Sequence, residues 1–132
     1  MVDYLRSVDN NTFYDVILAA DVLVYVGSLS PLMEEISKRL KPGGSFVFTV
    51  EELASNSEDT GYSIGPRGRY IHSAEYIKKE AAKTGILEVK AFEQIIPRYD
   101  RGEPIAGLFV WIQNTSAKNR LRFLWSQCKI RK

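Results

Sequence analysis

Apolar residues dominate one long run near the start of the chain. Residues 14–26 read YDVILAADVLVYV, and their apolar and β-branched side chains show no clear alternation with polar ones. This pattern is typical of a strand that is buried on both faces of a parallel sheet. The polar segment before it ends in Asp9, Asn10 and Asn11, which indicates a turn. We therefore predict a central strand that begins at Tyr14.

The next segment predicts a helix and then a second strand. Its apolar residues recur at helical spacing, at Leu32, Met33, Ile36 and Leu40. Ser30 is a suitable N-cap and Pro31 a suitable first helical residue, and residues 42–44, Pro-Gly-Gly, are expected to end the helix. Residues 45–50, SFVFTV, predict another buried strand. A strand, a helix and a strand at this spacing indicate a right-handed βαβ unit.

A long polar segment follows the second strand. Residues 51–72 are too long for a simple connection, and loops of this size are commonly lids or binding loops. Ser73 is then expected to cap a helix that extends to about Thr84 and ends at Gly85.

The last elements predict a hairpin. Residues 87–96 and 105–113 read as strands, and the PRYDRGEP segment between them supplies a turn, so the two strands are expected to pair in antiparallel fashion. The elements together predict an α/β fold with a mixed sheet of about four strands. We expect a single domain over residues 1–115, followed by a basic tail at 116–132.

Composition narrows the class of protein. A chain of 132 residues with 45% hydrophobic and 26% charged residues is typical of one soluble globular domain. The single cysteine, Cys128, excludes an internal disulfide and a cysteine-rich zinc site, so we expect a cytoplasmic protein without a metal. The longest nearly apolar run, residues 16–26, is interrupted by Asp21 and is too short to cross a bilayer. Residues 1–4 do not begin a secretory leader, so none is expected.

Charge is distributed unevenly. Residues 116–132 carry six basic side chains and no acidic one, while the other 115 residues carry a net charge of −4. A basic tail that contains Phe123 and Trp125 could contact phosphates or an acidic partner, although short cationic ends are often only solvated. The acidic body disfavours nucleic-acid binding.

Three segments together resemble class I S-adenosylmethionine-dependent methyltransferases. They are YDVILAADVLVYVGSLSPL, ISKRLKPGGSFVFTVE and the closing AGLFVWIQ, and the resemblance covers about residues 12–113. Between them, GYSIGPRGRYIHSAEYI resembles predicted methyltransferases that carry tetratricopeptide repeats before the catalytic domain. The resemblance implies a partial Rossmann-like fold, S-adenosylmethionine as cofactor and transfer of a methyl group to an acceptor that the sequence does not identify.

The chain also departs from that family. The family's glycine-rich G-x-G turn after its first strand and the acidic residue after its second strand are both absent, because residues 43–44 end a helix and residues 61–68 follow no strand. The chain therefore resembles the second half of such a domain and lacks the first βαβ units. Activity would then require another polypeptide that supplies the missing half. The alternative is a non-catalytic module that binds a partner through an open sheet edge.

In the strand order of the family, one edge of the first strand of this chain would be unpaired. A long apolar edge favours pairing with another chain, so we expect self-association or a partner chain at this edge.

The resemblance also implies candidate site residues. It places the segment from Ala19 and Ala20 through Asp21 and Val22 beside the methionine end of the cofactor. Tyr25 could face the transferring methyl group, where an aromatic ring favours a cationic sulfonium. The alternatives are that Asp21 caps the following turn or helix and that Tyr25 belongs to the core.

Further candidates follow the second strand. Glu51 and Glu52 lie where open α/β sheets bind ligands, or they form a solvated pair. His72, the only histidine, could accept a proton from the acceptor, or it could simply precede the Ser73 cap. Three other residues of the loop could bind a carboxylate or phosphate, or be merely exposed: Arg67, Arg69 and Tyr70. No residue is assigned as catalytic, and Cys128 is taken as incidental.

Overall fold

The computed structural model describes residues 1–54 and 60–116; Cys128 and nearly all of the predicted basic tail lie outside these ranges. The described helices are α1 (Val2–Ser7), α2 (Ser30–Arg39) and α3 (Ala74–Lys83). The described strands are β1 (Tyr14–Ala19), β2 (Leu40–Glu52), β3 (Tyr62–Ile64), β4 (Tyr70–His72), β5 (Leu87–Asp100) and β6 (Glu103–Asn114). The mixed α/β class is confirmed, with six strands in the described ranges where about four were expected.

One strand, β2, pairs with three others. β1 lies parallel to β2 along its first part, and β4 lies parallel to its last two residues, Glu51 and Glu52. β6 pairs in antiparallel fashion along residues 45–51, on the opposite edge of β2. The path through the sheet is β3-β4-β2-β6-β5, with β1 beside β2. The carboxyl ends of β1 and β2 therefore point the same way.

The first strand is shorter and less buried than predicted. β1 ends at Ala19, and Asp21 has a φ of +53°, a left-handed conformation that a strand does not accommodate. Residues 23–25 then form a 3₁₀ turn. The expectation of burial on both faces is wrong, since Leu18 is 68% exposed while Ala19 is 2% exposed. The reason is that the described helices cover only one face of the sheet.

The predicted helix after this turn is confirmed, although its ends differ. Leu29 is the N-cap in place of Ser30, and no side chain caps the helix start. The helix ends at Arg39, because Leu40 already has an extended backbone, with a φ of −82° and a ψ of 133°. The next strand begins at once and continues through the Pro-Gly-Gly segment that was expected to be only a stop signal.

The prediction of a long polar loop at residues 51–72 is wrong for the second part of this segment. β3 and β4 form a hairpin there, closed by a hydrogen bond from the Gly65 amide to the Arg69 carbonyl. Gly68 has a φ of +73°, a conformation that glycine adopts without strain. Because each strand has only three residues, alternation of polar and apolar side chains does not reveal them.

The two C-terminal predictions are confirmed. Ser73 caps α3, since its hydroxyl oxygen accepts a hydrogen bond from the Tyr76 amide at 3.2 Å. β5 and β6 form the expected antiparallel hairpin but are longer, and their turn consists of Arg101 and Gly102, both with positive φ. Two positive φ values match the twist of a two-residue hairpin turn.

The core lies between one face of the sheet and helices α2 and α3. The central strands bury Phe46, Phe48 and Val110 there, and the two phenylalanine rings lie 4.7 Å apart. Helix α1 packs against α2 at the edge of this layer. Among the described residues, no helix is long and apolar enough to cross a membrane.

Replacing Ser73 by alanine removes the α3 cap, so we expect Ser73→Ala to lower the free energy of unfolding by about 1 kcal/mol. Ser73→Asp keeps an acceptor at the same position and should retain most of the stability. Urea unfolding followed by circular dichroism measures both, with Ser63→Ala in β3 as the control. Equal stability of Ser73→Ala and the control would contradict the cap.

Candidate functional site

The carboxyl ends of β1 and β2 form one edge of the sheet, where open α/β sheets bind ligands. Ala19 ends β1 and is buried, and Ala20 is exposed beyond it. The Asp21 amide donates a hydrogen bond to Thr49 Oγ1 at 3.0 Å, which ties the turn after β1 to β2. The side chain of Asp21 remains 60% exposed. It makes no capping hydrogen bond to the 3₁₀ turn or to α2, so the capping alternative is wrong.

The 3₁₀ turn fixes which side chains face outward. Leu23 and Val24 are buried in the core, and this leaves Val22 and Tyr25 at the surface. Tyr25 is 69% exposed, so the alternative of a core residue is wrong. The guanidinium carbon of Arg69 lies 5.4 Å from the centre of the Tyr25 ring, within the range of a cation–π contact.

Charged side chains converge at this edge. The Glu51 side chain is only 6% exposed, and its Oε1 lies 3.1 Å from Arg98 Nε and 3.9 Å from Arg69 Nη1. Arg69 Nη1 also lies 3.3 Å from Asp21 Oδ1. We call these four residues, Asp21, Glu51, Arg69 and Arg98, the edge cluster. Its two acidic and two basic side chains have a formal net charge of zero, and the paired arginines allow the Glu51 carboxylate to be buried.

Two of the predicted candidates lie apart from the edge cluster. Glu52 points to the other face of β2, where Gln94 Nε2 lies 3.5 Å from its Oε2. It lines an open pocket of about 440 Å³ whose other residues are Gln94, Ile95, Ile96, Ala106 and Gly107. Arg67 Nε donates to Asp100 Oδ2 at 2.6 Å, across the tips of the two hairpins.

His72 is fully buried. Its Nε2 donates a hydrogen bond to the Gly27 carbonyl at 3.0 Å, and its Nδ1 has no partner among the described residues. Burial lowers the pKa of the imidazole below its ordinary value of 6.5, against the opposing effect of the Gly27 and Val26 carbonyls. His72 is therefore neutral at pH 7, and its ring has no exposed surface in this structure.

Two tyrosines flank His72, and a third packs on Gly27, whose carbonyl binds the imidazole. The Tyr76 ring stacks on the imidazole with the ring centres 6.3 Å apart, and Tyr62 lies 6.2 Å from it. The Tyr76 hydroxyl accepts a hydrogen bond from the Leu29 amide at 2.9 Å, and burial raises the pKa of this phenol. Tyr70 packs so closely on Gly27 that a Cβ there would lie 2.8 Å from its ring. This tyrosine cluster, Tyr62, Tyr70 and Tyr76, holds residues 27–29 against the β3–β4 hairpin and α3.

Sequence reasoning missed Arg98, Tyr62 and Tyr76 as parts of the site. Arg98 lies in a segment predicted to be a turn, and its partner is 47 residues away along the chain. Tyr76 lies within the predicted helix after Ser73, and helical spacing alone does not reveal its contacts with His72 and Leu29. The described ranges contain no group of three metal-ligating side chains.

Removing the Glu51 charge leaves Arg69 and Arg98 without a buried counterion. Because both arginines are partly exposed, we expect Glu51→Gln to lower the free energy of unfolding by about 2 kcal/mol, less than for a fully buried pair. Glu34→Gln is the matched control, because Glu34 is 67% exposed in its ion pair with Lys38. Urea denaturation measures both, and equal effects would contradict the role of the edge cluster.

The lowered pKa of His72 makes stability depend on pH. The imidazole binds a proton near pH 6.5 in the unfolded chain, and only at lower pH in the folded chain. The free energy of unfolding therefore has its full value above pH 6.5 and decreases as the pH falls below it. His72→Gln should abolish this loss. Urea unfolding between pH 7.5 and about 5 measures it for both proteins; parallel curves would show that His72 titrates normally.

Comparison with known proteins finds similar folds but no matching sequence. No family profile matches the chain, and no curated protein matches it. The N-methyltransferase NodS of Bradyrhizobium japonicum, solved with S-adenosyl-L-homocysteine, superposes with a TM-score of 0.57 at 19% identity, covering 85% of this chain and 52% of that one. A SAM-dependent methyltransferase of Methanosarcina mazei gives 0.60 at 14% identity, covering 83% and 64%.

The same fold carries more than one reaction. The [4+2]-cyclase SpnF superposes with a TM-score of 0.58 at 16% identity, covering 81% of this chain and 54% of that chain. This chain thus spans between half and two thirds of the length of these three structures. It has the fold of a part of S-adenosylmethionine-dependent methyltransferases.

Proposed function

We propose that this chain binds S-adenosylmethionine at the carboxyl edge of β1 and β2 and takes part in methyl transfer to an acceptor. The observation that carries the proposal is the turn at residues 19–22. In this turn Asp21 has a left-handed backbone conformation, and its amide is hydrogen-bonded to β2. Strained backbone at the ligand edge of a sheet is commonly associated with function. The fold likeness supports the proposal, since NodS was solved with the cofactor product.

The described residues fit one side of such a cofactor. Ala20 is exposed and its small side chain lets a ligand approach the backbone, whereas Ala19 is buried. Tyr25 already stacks on the cationic Arg69, and a sulfonium has the same preference for an aromatic face. The glycine-rich turn and the ribose-binding acid of the resembled family are absent from the sequence. We therefore assign residues 19–22 and Tyr25 to one wall of the cofactor site.

The cofactor supplies an activated methyl group, so the protein mainly has to orient the acceptor and accept its proton. Arg69 is the candidate for acceptor binding, because its guanidinium lies at the edge beside Asp21 and Tyr25. Tyr70 and His72 contact Gly27, close to this region. Because His72 is buried, it could accept a proton from the acceptor only if the tyrosine cluster opened. The chemical class of the acceptor is left open.

We propose that a second chain completes the site at the outer edge of β1. Within residues 1–54 and 60–116, β1 pairs only with β2, and its side chains Val16 and Leu18 are exposed. An apolar edge strand favours pairing with another strand. The second chain is either another copy or one that carries the missing glycine-rich half. We also propose that the chain is related to methyltransferases that carry tetratricopeptide repeats, and that it is cytoplasmic.

A non-catalytic binding module is the second candidate. The exposed apolar side chains Val16 and Leu18 on the edge strand β1 favour it, because such an edge can bind a partner strand. The [4+2]-cyclase neighbour likewise shows that this fold does not imply methyl transfer.

Titration with S-adenosyl-L-homocysteine in a calorimeter tests the proposal. Light scattering first fixes the oligomeric state, and we expect a dimer. We then expect saturable micromolar binding near one ligand per chain. Ala20→Trp places a large side chain in the proposed wall and should abolish the heat, whereas Ala82→Trp, at an exposed position on α3, should bind like the unmodified chain.

No heat at millimolar ligand would contradict cofactor binding by this chain or by its dimer and would favour the binding module. Equal binding by Ala20→Trp would place the ligand elsewhere. A monomer that nevertheless binds would overturn the proposal that a second copy completes the site.

A further inference from the structure

The end of β2 borders the pocket beside Glu52, which lies apart from the edge cluster. The volume of this pocket, about 440 Å³, is within the range of about 300–1,000 Å³ that is typical of small-molecule sites. β2 contributes Glu52, and the β5–β6 hairpin contributes the other lining residues. We call this cavity the Glu52 pocket. It shares no residue with the edge cluster or with the proposed cofactor wall.

A β-bulge shapes one side of the Glu52 pocket. The register of β5 on β6 shifts between Ile95 and Arg98, so that Ile96 and Pro97 lie opposite one residue of β6. The Pro97 ring packs on Gly107, where a Cβ would lie only 2.7 Å from it. Bulges bend a strand, redirect its side chains and are frequent beside functional sites. The bend is built into the sequence by a proline that has no N–H for the ladder and a glycine that makes room for it.

Glu52 supplies a negative charge to the pocket. Within residues 1–54 and 60–116 its carboxylate forms no ion pair, and its Oε2 lies 3.5 Å from Gln94 Nε2, a long distance for a hydrogen bond. The preceding residue is the opposite case, because the buried Glu51 carboxylate lies near two arginines. Successive side chains of a strand point to opposite faces, so the cations that neutralise Glu51 are on the other face of β2 from Glu52. In the described ranges, the pocket therefore presents a carboxylate without a counterion.

The remaining lining is apolar apart from one amide. Ile95, Ile96 and Ala106 contribute to it, and Gln94 turns its amide nitrogen towards Glu52, which leaves its side-chain carbonyl to accept a hydrogen bond. A carboxylate and an amide carbonyl both accept hydrogen bonds from an ammonium N–H. An aliphatic chain buried against the isoleucines adds a hydrophobic contribution to binding. An anion is disfavoured, because Glu52 repels it.

We propose that the Glu52 pocket binds a primary alkylammonium group. Its N–H groups donate to the Glu52 carboxylate and to the Gln94 side-chain carbonyl, and its aliphatic chain packs on Ile95 and Ile96. A free amine and a lysine side chain share this chemistry. The inference is independent of cofactor binding.

Titration of the full chain with n-hexylammonium chloride, followed by two-dimensional amide NMR, tests the pocket. We expect saturable shifts of the backbone amides of Gln94, Ala106 and Gly107, and none with hexanoate, which has the same chain length and the opposite charge. A parallel titration with Nα-acetyl-lysine amide distinguishes the two sources of the ammonium group. Binding of either amine supports the pocket, and the tighter ligand identifies the source.

Three variants locate the bound amine. Glu52→Gln keeps the shape of the side chain but removes its charge, so we expect it to weaken hexylammonium binding at least about tenfold. Glu93→Gln is the matched control, because it removes the same charge from an exposed residue of β5 that adjoins Gln94 but points to the other face. Ala106→Phe fills the pocket without a change in charge and should also abolish the shifts.

The amide spectra show whether each variant is folded. If Glu52→Gln unfolds, Ala106→Phe decides, and unchanged binding by it would contradict the pocket. Absence of saturable shifts with both amines would overturn the proposal, and so would equal shifts with hexanoate. Equal affinities of Glu52→Gln and Glu93→Gln would also overturn it, because Glu52 would then not hold the ligand. Shifts centred on Leu18 and Trp111 would place the amine on the exposed apolar side chains of the sheet instead.

Discussion

The pairing of β2 with three other strands is the constraint on which the rest of the structure depends. Its middle residues hydrogen-bond to β1 on one side and to β6 on the other, and its last two pair with β4. Phe46, Phe48 and Val50 project from it into the core and are at most 1% exposed. Helices α2 and α3 are held on the sheet by the same side chains. Loss of β2 would therefore remove both the sheet and the core.

The site is a consequence of where β2 and its neighbours end. Thr49 accepts a hydrogen bond from the Asp21 amide. Glu51 pairs with Arg69, which directly precedes β4, and with Arg98, which lies in β5. The edge cluster thus connects segments that are distant in sequence at the place where a ligand of an open sheet would bind. Because the described helices cover only one face, the opposite face and the outer edge of β1 remain available for further contacts.

Elements with strong local signals were predictable from the sequence. The Ser73 cap and the helical spacing defined α3, and the β5–β6 hairpin followed from two apolar runs around a turn. The hairpin at residues 62–72 was missed because three-residue strands carry too little periodicity. The end of β1 was missed because its apolar run continues through Asp21, where only the backbone conformation ends the strand. The partners of Glu51 depend on tertiary contacts that no local pattern encodes.

Native-state amide hydrogen exchange tests the central place of β2 most directly. We predict that the amides of Phe46, Phe48 and Val50 exchange only through global unfolding, while those of β1 and of the β3–β4 hairpin exchange faster through local opening. Slower exchange in β1 or β3 than in β2 would contradict it, because the sheet would then be held together by strands other than the one that pairs with three neighbours.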